Sequence, residues 1–166
     1  MELQRAYFAG GCFWCMTPVF RARGAASVRS GYSGGSEESP SYEDVKAQRT
    51  GHRETVEIVY DPSKINYSTL LDIFFANIDP FDGEGQFIDR GASYSPAVFY
   101  LTDEEKALAL KKIGEIESES GRCVEVAILP FRNFWPAEEY HQDYDLKNPE
   151  AFAEEIKASG RADRNS

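Results

Sequence analysis

Apolar and polar residues alternate cleanly from position 54 to 60, with Val56, Ile58 and Tyr60 on one side. A period of two predicts a strand there. The period changes at residues 67–76, where Leu70, Leu71, Phe74 and Phe75 recur at helical spacing. Earlier, residues 3–9 read as a short strand that enters the core through Tyr7 and Phe8 and is broken by Gly10-Gly11. A helix over 12–23 follows, anchored by Phe13, Val19 and Phe20, with Pro18 disturbing its first turns. A strand over 26–32, a Gly/Ser-rich loop over 33–40 and a helical turn over 42–47 complete the first third.

Further on, strands are predicted over 96–101 and 124–129. Between them Thr102-Asp103-Glu104-Glu105 caps a helix that runs to about Ser120 and ends at Gly121. Two long connections stand out. Residues 79–94 form a Gly-containing loop of a length that is usually functional, and residues 130–146 form an aromatic loop with a helical turn near Ala137. A last helix over 149–158 precedes a polar tail, about 160–166, that is expected to fray. The order of elements predicts an α+β two-layer sandwich. It has a mixed sheet of about five strands, helices on one side, a split βαβ (ferredoxin-like) core and long active-site loops. With 166 residues and no Pro/Gly-rich linker, one catalytic domain is expected over 1–166.

Charge narrows the choice of partner. Acidic residues outnumber Lys and Arg by 28 to 18, a net charge of −10, and no basic cluster interrupts it. Such a surface repels phosphate backbones and anionic lipids, so neither nucleic acid nor membrane is expected as a partner. No stretch approaches the roughly 18 apolar residues of a membrane span. The first residues lack the basic and apolar pattern of a leader, so a cytoplasmic location is expected. In a reducing compartment three cysteines are core thiols, metal ligands or redox groups rather than a disulfide framework.

The sharpest local feature is strand, Gly10-Gly11, Cys12, helix. The glycines permit a tight turn that delivers Cys12 to the start of a helix, where free N–H groups and the dipole favour a thiolate. A lone cysteine is more often a small buried hydrophobe; this setting reverses the odds. Phe13 and Trp14 follow directly, and two aromatic faces beside a reactive sulfur suit a small apolar group such as a thioether methyl. Taken alone, Glu54 reads as an exposed strand-end carboxylate and Asp89 as a turn residue. His52 and His141, the only two histidines, are far apart and lack a Cys-x-x-Cys pair of pairs, so no metal is expected.

The string Gly-Gly-Cys-Phe-Trp-Cys resembles the signature of the peptide methionine sulfoxide reductases of the A class. Four further segments agree, in order: Ser-Gly-Tyr-Ser-Gly-Gly at 30–35, Thr-Gly-His-Arg-Glu at 50–54, Val-Tyr-Asp-Pro at 59–62 and Pro-Ala-Glu-Glu-Tyr-His-Gln-Asp-Tyr at 136–144. The resemblance implies that Cys12 is the nucleophile and that Phe13 and Trp14 wall a methyl pocket. It implies that Glu54 protonates the sulfoxide oxygen and that Tyr42 and Tyr94 bind it. Asp89 and Tyr144 are implied as substrate-binding residues. The implied reaction reduces the S epimer of methionine sulfoxide, free or in proteins, through a Cys12 sulfenic acid. No cofactor is implied beyond an external thiol such as thioredoxin, glutaredoxin or glutathione, and the enzyme is expected to be a monomer.

The sequence departs from the commoner pattern of that family in its reductive half. The region after Tyr144 has no cysteine, and the position after Val45, often Cys in relatives, is Lys46. Cys15, in a Cys-x-x-Cys with Cys12, is one possible resolving thiol; direct attack on Cys12 by an external thiol is slightly favoured over it, because a helical i, i+3 pair must distort to reach disulfide torsions. Cys123 is expected to be a structural thiol at the start of an apolar strand. A disulfide oxidoreductase of thioredoxin type is the alternative that the Cys-x-x-Cys allows, and a non-catalytic sulfoxide binder is a further one.

Overall fold

Alternation over 53–60 sets up the middle of the molecule, for which a computed structural model describes residues 2–159. The tail expected to fray after Gly160 lies outside the described residues. The strands are β1 (Gln4–Ala9), β2 (Ser27–Ser33), β3 (Arg53–Tyr60), β4 (Gly85–Gln86), β5 (Asp89–Arg90), β6 (Ala97–Tyr100), β7 (Ala127–Pro130) and β8 (Trp135–Pro136). The helices are α1 (Phe13–Ala22), α2 (Tyr42–Lys46), α3 (Tyr67–Ala76), α4 (Asp103–Ser120), α5 (Tyr144–Lys147) and α6 (Pro149–Ser159).

Among the described residues, six strands form one sheet in the order β7-β6-β1-β3-β2-β8. β3 lies between β1 and β2 and runs antiparallel to both, which splits the β1-α1-β2 unit as expected. β6 joins β1 antiparallel, and β7 lies parallel beside β6, so the sheet is mixed. The sixth strand, β8, is a two-residue edge supplied by the aromatic loop. Its brevity explains why no run of alternating residues announces it. β7 begins at Ala127, three residues later than the periodicity suggests, and Cys123 is consequently not at a strand start but exposed in the connection before it.

Period-two patterning gives the sheet its two faces. Ala6 and Phe8 of β1 and Val56, Ile58 and Tyr60 of β3 point to the helical layer, where they meet Met16 and Phe20 of α1 and Leu70, Leu71 and Phe74 of α3. Phe8 stacks between Phe20 and Phe74, with centroids at 5.8 and 5.0 Å. Each such ring contributes about 2–3 kcal/mol by leaving water. The opposite face carries Tyr7, Ala9, Ala97 and Phe99, covered by Phe131 and Phe134 of the loop before β8. Gly31 of β2 lets this loop cross closely: a Cβ there would lie 2.4 Å from the Phe134 ring. Within the long connection expected over 79–94, β4 and β5 form a small ribbon, and a 3₁₀ turn spans Ala92–Tyr94.

Candidate active site

The register of β1 on β3 dictates where the first helix starts. Phe8 pairs with Val56, so the chain leaves β1 beside the beginning of β3. Gly11, at φ +89°, turns it there, in a conformation that side chains resist. Cys12 follows with φ −59° and ψ 120°, which is not helical; it is the N-cap of α1, and the helix begins at Phe13 rather than at Cys12. The helix then runs through Pro18, whose missing N–H leaves the Trp14 carbonyl without its i+4 donor.

Glu54 occupies the second position of β3 and continues the alternation of Val56, Ile58 and Tyr60 by one step. It therefore faces the helical layer and is 1% exposed, not the solvated strand end that its position alone suggests. The Phe13 N–H, one of the free donors of the first turn, donates to Glu54 Oε1 at 3.2 Å. Oε2 is buried without a hydrogen bond. Burial pushes the Glu54 carboxyl up to about 8; the Phe13 N–H opposes this, the charge of Asp89 adds to it, and the nearby Tyr94 hydroxyl again opposes it. Glu54 is thus a carboxylic acid at neutral pH, held against the residue that follows Cys12.

Cys12 itself departs from the thiolate expected at a helix start. Its thiol is pushed well above the ordinary cysteine range, first by a hydrogen bond with Cys15, then by burial, then by the charges of Cys15, Glu54 and Asp89. Three acidic neighbours and loss of water outweigh the single turn of free amides. Cys15, the third residue of α1, is buried beside Cys12, while Cys12 is half-buried; both are free thiols.

The tyrosines expected near the site reach it from two separate segments. Tyr42 opens α2, and Tyr94 closes the 3₁₀ turn after β5. Burial and the Glu54 and Cys12 charges raise both hydroxyls above their usual range, and Tyr94 lies beside the Tyr42 hydroxyl. Both are therefore protonated donors across the physiological range. Asp89, on β5, contributes its charge to Cys12, Glu54 and Tyr94. Phe13 is buried beneath the helix start, and Trp14 is half-buried with Tyr144 stacked on it, centroids 3.9 Å apart and planes at 22°. Every residue expected at the site is thus brought to one end of the sheet, from the start of α1, α2, β3, the β5 ribbon with the 3₁₀ turn after it, and α5.

His141 belongs to this cluster although its sequence context suggested nothing beyond a metal reading. It is 1% exposed and its ring touches those of Phe13, Trp14, Tyr42 and Tyr140. The Trp14 Nε1–H donates to His141 Nδ1 at 3.0 Å, so Nε2 carries the ring hydrogen in the neutral form. Burial lowers its pKa, partly offset by Glu138. Glu138 accepts hydrogen bonds from the Tyr32 hydroxyl and the Tyr42 N–H, which fixes the start of α2 against the sheet. His141 lies within the 136–144 segment that resembles the reductases, but the pattern of that segment does not assign it a place against Trp14; only the fold does. His52 is elsewhere, accepting from Gly35 N–H. Among the described residues no three His, Cys, Asp or Glu side chains are grouped to hold a metal ion.

The chain matches the family model described as peptide methionine sulfoxide reductase over residues 4–165. It is 47% identical over 164 residues to peptide methionine sulfoxide reductase MsrA of Halalkalibacterium halodurans, covering 96% of this chain and 93% of that one. Identity to MsrA 2 of Lactococcus lactis is 44% over 160 residues, covering 95% and 93%. Among solved structures, reduced Mxr1 from Saccharomyces cerevisiae superposes with a TM-score of 0.85 at 30% identity, covering 90% of this chain and 87% of that one. Methionine sulfoxide reductase A of Corynebacterium diphtheriae gives 0.80 at 26%, covering 89% and 76%.

Proposed function

The chain belongs to the peptide methionine sulfoxide reductase family, and on that premise we propose how its residues carry out the reaction. Reduction of methionine sulfoxide to methionine is its activity. The observation that carries the mechanism is the buried Glu54 carboxyl, pushed up to about 8 and held by the Phe13 N–H next to Cys12. A sulfoxide oxygen leaves sulfur readily only when protonated, and a carboxyl that is still an acid at neutral pH can supply the proton.

The charge of Glu54 adds to the rise of the Cys12 thiol, so a protonated Glu54 eases ionisation of Cys12. With the proton on Glu54, Cys12 is the nucleophile and Glu54 the acid, which is the reactive arrangement. The Cys12 sulfur bonds to the sulfoxide sulfur as Glu54 protonates the oxygen, and the proton given up by the Cys12 thiol restores the Glu54 acid. Oxygen ends on Cys12 as a sulfenic acid, and methionine leaves; Cys12 is oxidised by two electrons and the substrate sulfur reduced by two. The Tyr42 and Tyr94 hydroxyls donate to the oxygen as charge develops on it. Phe13 and Trp14, with Tyr144 stacked on Trp14, wall the space for the substrate methyl. Asp89 adds negative charge that keeps Glu54 protonated. A methyl pocket on one side of sulfur and an acid on the other accept one handedness, the S epimer, free or in proteins.

Regeneration is by thiols, and the geometry favours Cys15 as the resolving residue. The objection to an i, i+3 disulfide is that two helical residues must distort. Cys12 lies outside the helix with extended ψ, and its thiol is already hydrogen-bonded with Cys15. Cys15 attack on the sulfenic acid releases water and leaves a Cys12–Cys15 disulfide, which an external dithiol of the thioredoxin or glutaredoxin class then reduces by exchange. One domain supplies every residue of the site, so a monomer suffices. The cytoplasm, which keeps its three free thiols reduced, is the proposed place of action.

Mass spectrometry after stoichiometric methionine sulfoxide, without reductant, tests the scheme. One methionine per chain and a Cys12–Cys15 disulfide are expected. Reduction of an insulin disulfide without methionine formation would instead support a thioredoxin-type oxidoreductase.

A further inference from the structure

Arg21 lies on the last turn of α1, far from the chemistry, yet its guanidinium is committed to the segment that carries Tyr144. Nη1 donates to both carboxylate oxygens of Asp145, at 3.1 and 2.9 Å, and Nη2 donates to Asp143 Oδ1 at 2.8 Å. These are the residues on either side of Tyr144. Asp143 is held in the left-handed region at φ 49° and ψ 41°, and although it is the N-cap of α5 its side chain caps no amide. Its carboxylate serves Arg21 instead. Immediately upstream, Gln142 is pinned to β2 by accepting from the Ser30 N–H at 2.9 Å and donating to the Ser30 carbonyl at 2.8 Å.

Helical periodicity explains why this clamp bears on the site. Trp14 and Arg21 are seven positions apart, so α1 presents them on one face, two turns from each other. α5 is therefore gripped at two points by one face of one helix: Tyr144 stacks on Trp14 at 3.9 Å, and its two neighbours are tied to Arg21. Cys12 is the N-cap of the same helix, so the pocket wall and the nucleophile share one rigid support. A planar fork that satisfies one carboxylate in two bonds and a second in another fixes direction as well as distance, which an ammonium cannot do.

We propose that Arg21 is a positioning residue for the reductase: by clamping Asp143 and Asp145 to α1 it holds Tyr144 over Trp14, and so keeps the substrate pocket closed on that side. This rests on the reading of Trp14 and Tyr144 as pocket walls. It sets substrate affinity and leaves the chemical step at Cys12 and Glu54 untouched.

The test uses steady-state kinetics on a neutral substrate, N-acetyl-methionine sulfoxide methylamide, with dithiothreitol as reductant. Arg21→Met is expected to raise KM about 3- to 10-fold with kcat within about twofold, the pattern of lost uniform binding. Arg21→Lys should recover part of the loss, since an ammonium reaches one carboxylate but cannot fork. Sodium chloride should raise the wild-type KM and leave that of Arg21→Met unchanged, because the half-exposed ion pairs are screened. Tyr144→Ala should raise KM by itself, and adding Arg21→Met to it should have no further effect. An equal rise in KM on the Tyr144→Ala background, or an unchanged KM in folded Arg21→Met, overturns the clamp. An unchanged KM in Tyr144→Ala overturns the pocket reading instead. If Arg21→Met does not fold, Asp145→Asn, which weakens the fork and keeps the arginine, replaces it under the same criteria.

Discussion

The amide of Phe13 donates to the carboxylate oxygen of Glu54 across 41 positions of sequence, at 3.2 Å. The bond joins the first residue of α1 to the start of β3, and it holds a buried carboxyl beside the residue that follows Cys12. An ordinary arrangement of helix start and carboxylate would hold the acid ionised. Here removal from water outweighs that single hydrogen bond, and the acid stays protonated to about 8. Four consequences can be measured.

Replacing Glu54 by Gln keeps the shape and removes the transferable proton. Methionine formation is expected to fall by roughly 10²–10⁴-fold, the usual worth of a general acid. Single-turnover assays separate this step from recycling by reductant. A variant with wild-type turnover would falsify the role given to Glu54.

The same substitution alters stability in a pH-dependent way. The folded chain keeps the Glu54 proton to about 8, while the unfolded chain releases it near 4.5. Between those values the folded state binds more protons, so its stability falls as pH rises, and the loss levels off above the folded pKa. Gln carries no such dependence. Urea titrations should therefore show Glu54→Gln gaining on the wild type from pH 5 to pH 8, by at most about 1.4 kcal/mol per pH unit. Parallel curves at both pH values would count against a buried, protonated Glu54.

Thiol chemistry should divide cleanly between the two neighbouring cysteines. Cys12→Ser should form no methionine. Cys15→Ser should form one methionine per chain, because attack on the sulfoxide precedes resolution, and should accumulate the sulfenic acid that dimedone traps. With thioredoxin as sole reductant it should lose multiple turnovers, while dithiothreitol restores them. Thioredoxin-driven turnover equal to the wild type would mean that an external thiol resolves Cys12 directly. A Cys12–Cys123 disulfide is not expected, since Cys123 is exposed in the connection before β7.

His141 should matter through Trp14. His141→Phe preserves an aromatic ring among Phe13, Trp14 and Tyr42 but leaves the part-buried Trp14 N–H without its acceptor, a loss of about 1 kcal/mol. KM for methionine sulfoxide should rise more than kcat falls. Acidification should act similarly on the wild type, because a protonated imidazole cannot accept from Trp14; with the pKa of His141 lowered, this limb should appear below the usual histidine range. Unchanged Trp14 fluorescence across that limb would separate His141 from Trp14.

Much of the site was legible from local pattern. Gly10-Gly11-Cys12 announced a turn into a helix, and the resemblance to the reductases pointed to Glu54, Tyr42, Tyr94, Asp89 and Tyr144. Other features were partly readable. The alternation seen in Val56, Ile58 and Tyr60 extends one step back to Glu54, which was enough to bury it, yet a carboxylate at a strand end is ordinarily solvated. The two-residue β8 is too short for any period, and β7 starts late because the residues before it are drawn into contacts with the 79–94 loop, where Glu125 N–H donates to the Pro80 carbonyl at 2.7 Å.

The sequence by itself determined the period of each long element and the break that aims Cys12 at a helix start. These are properties of neighbouring residues, and local sterics and hydrophobic patterning suffice for them. The protonation of the titratable groups at the candidate site was decided only by tertiary structure. Whether Cys12 is a thiol, Glu54 an acid, or His141 a neutral acceptor depends on which distant charges and how little water surround each one. So does the clamp of Arg21 on Asp143 and Asp145, 122 and 124 positions away. Electrostatic and solvation energies follow distance in space, and that distance exists only after β1, β2 and β3 have paired and brought α1, the β5 ribbon and α5 to one end of the sheet.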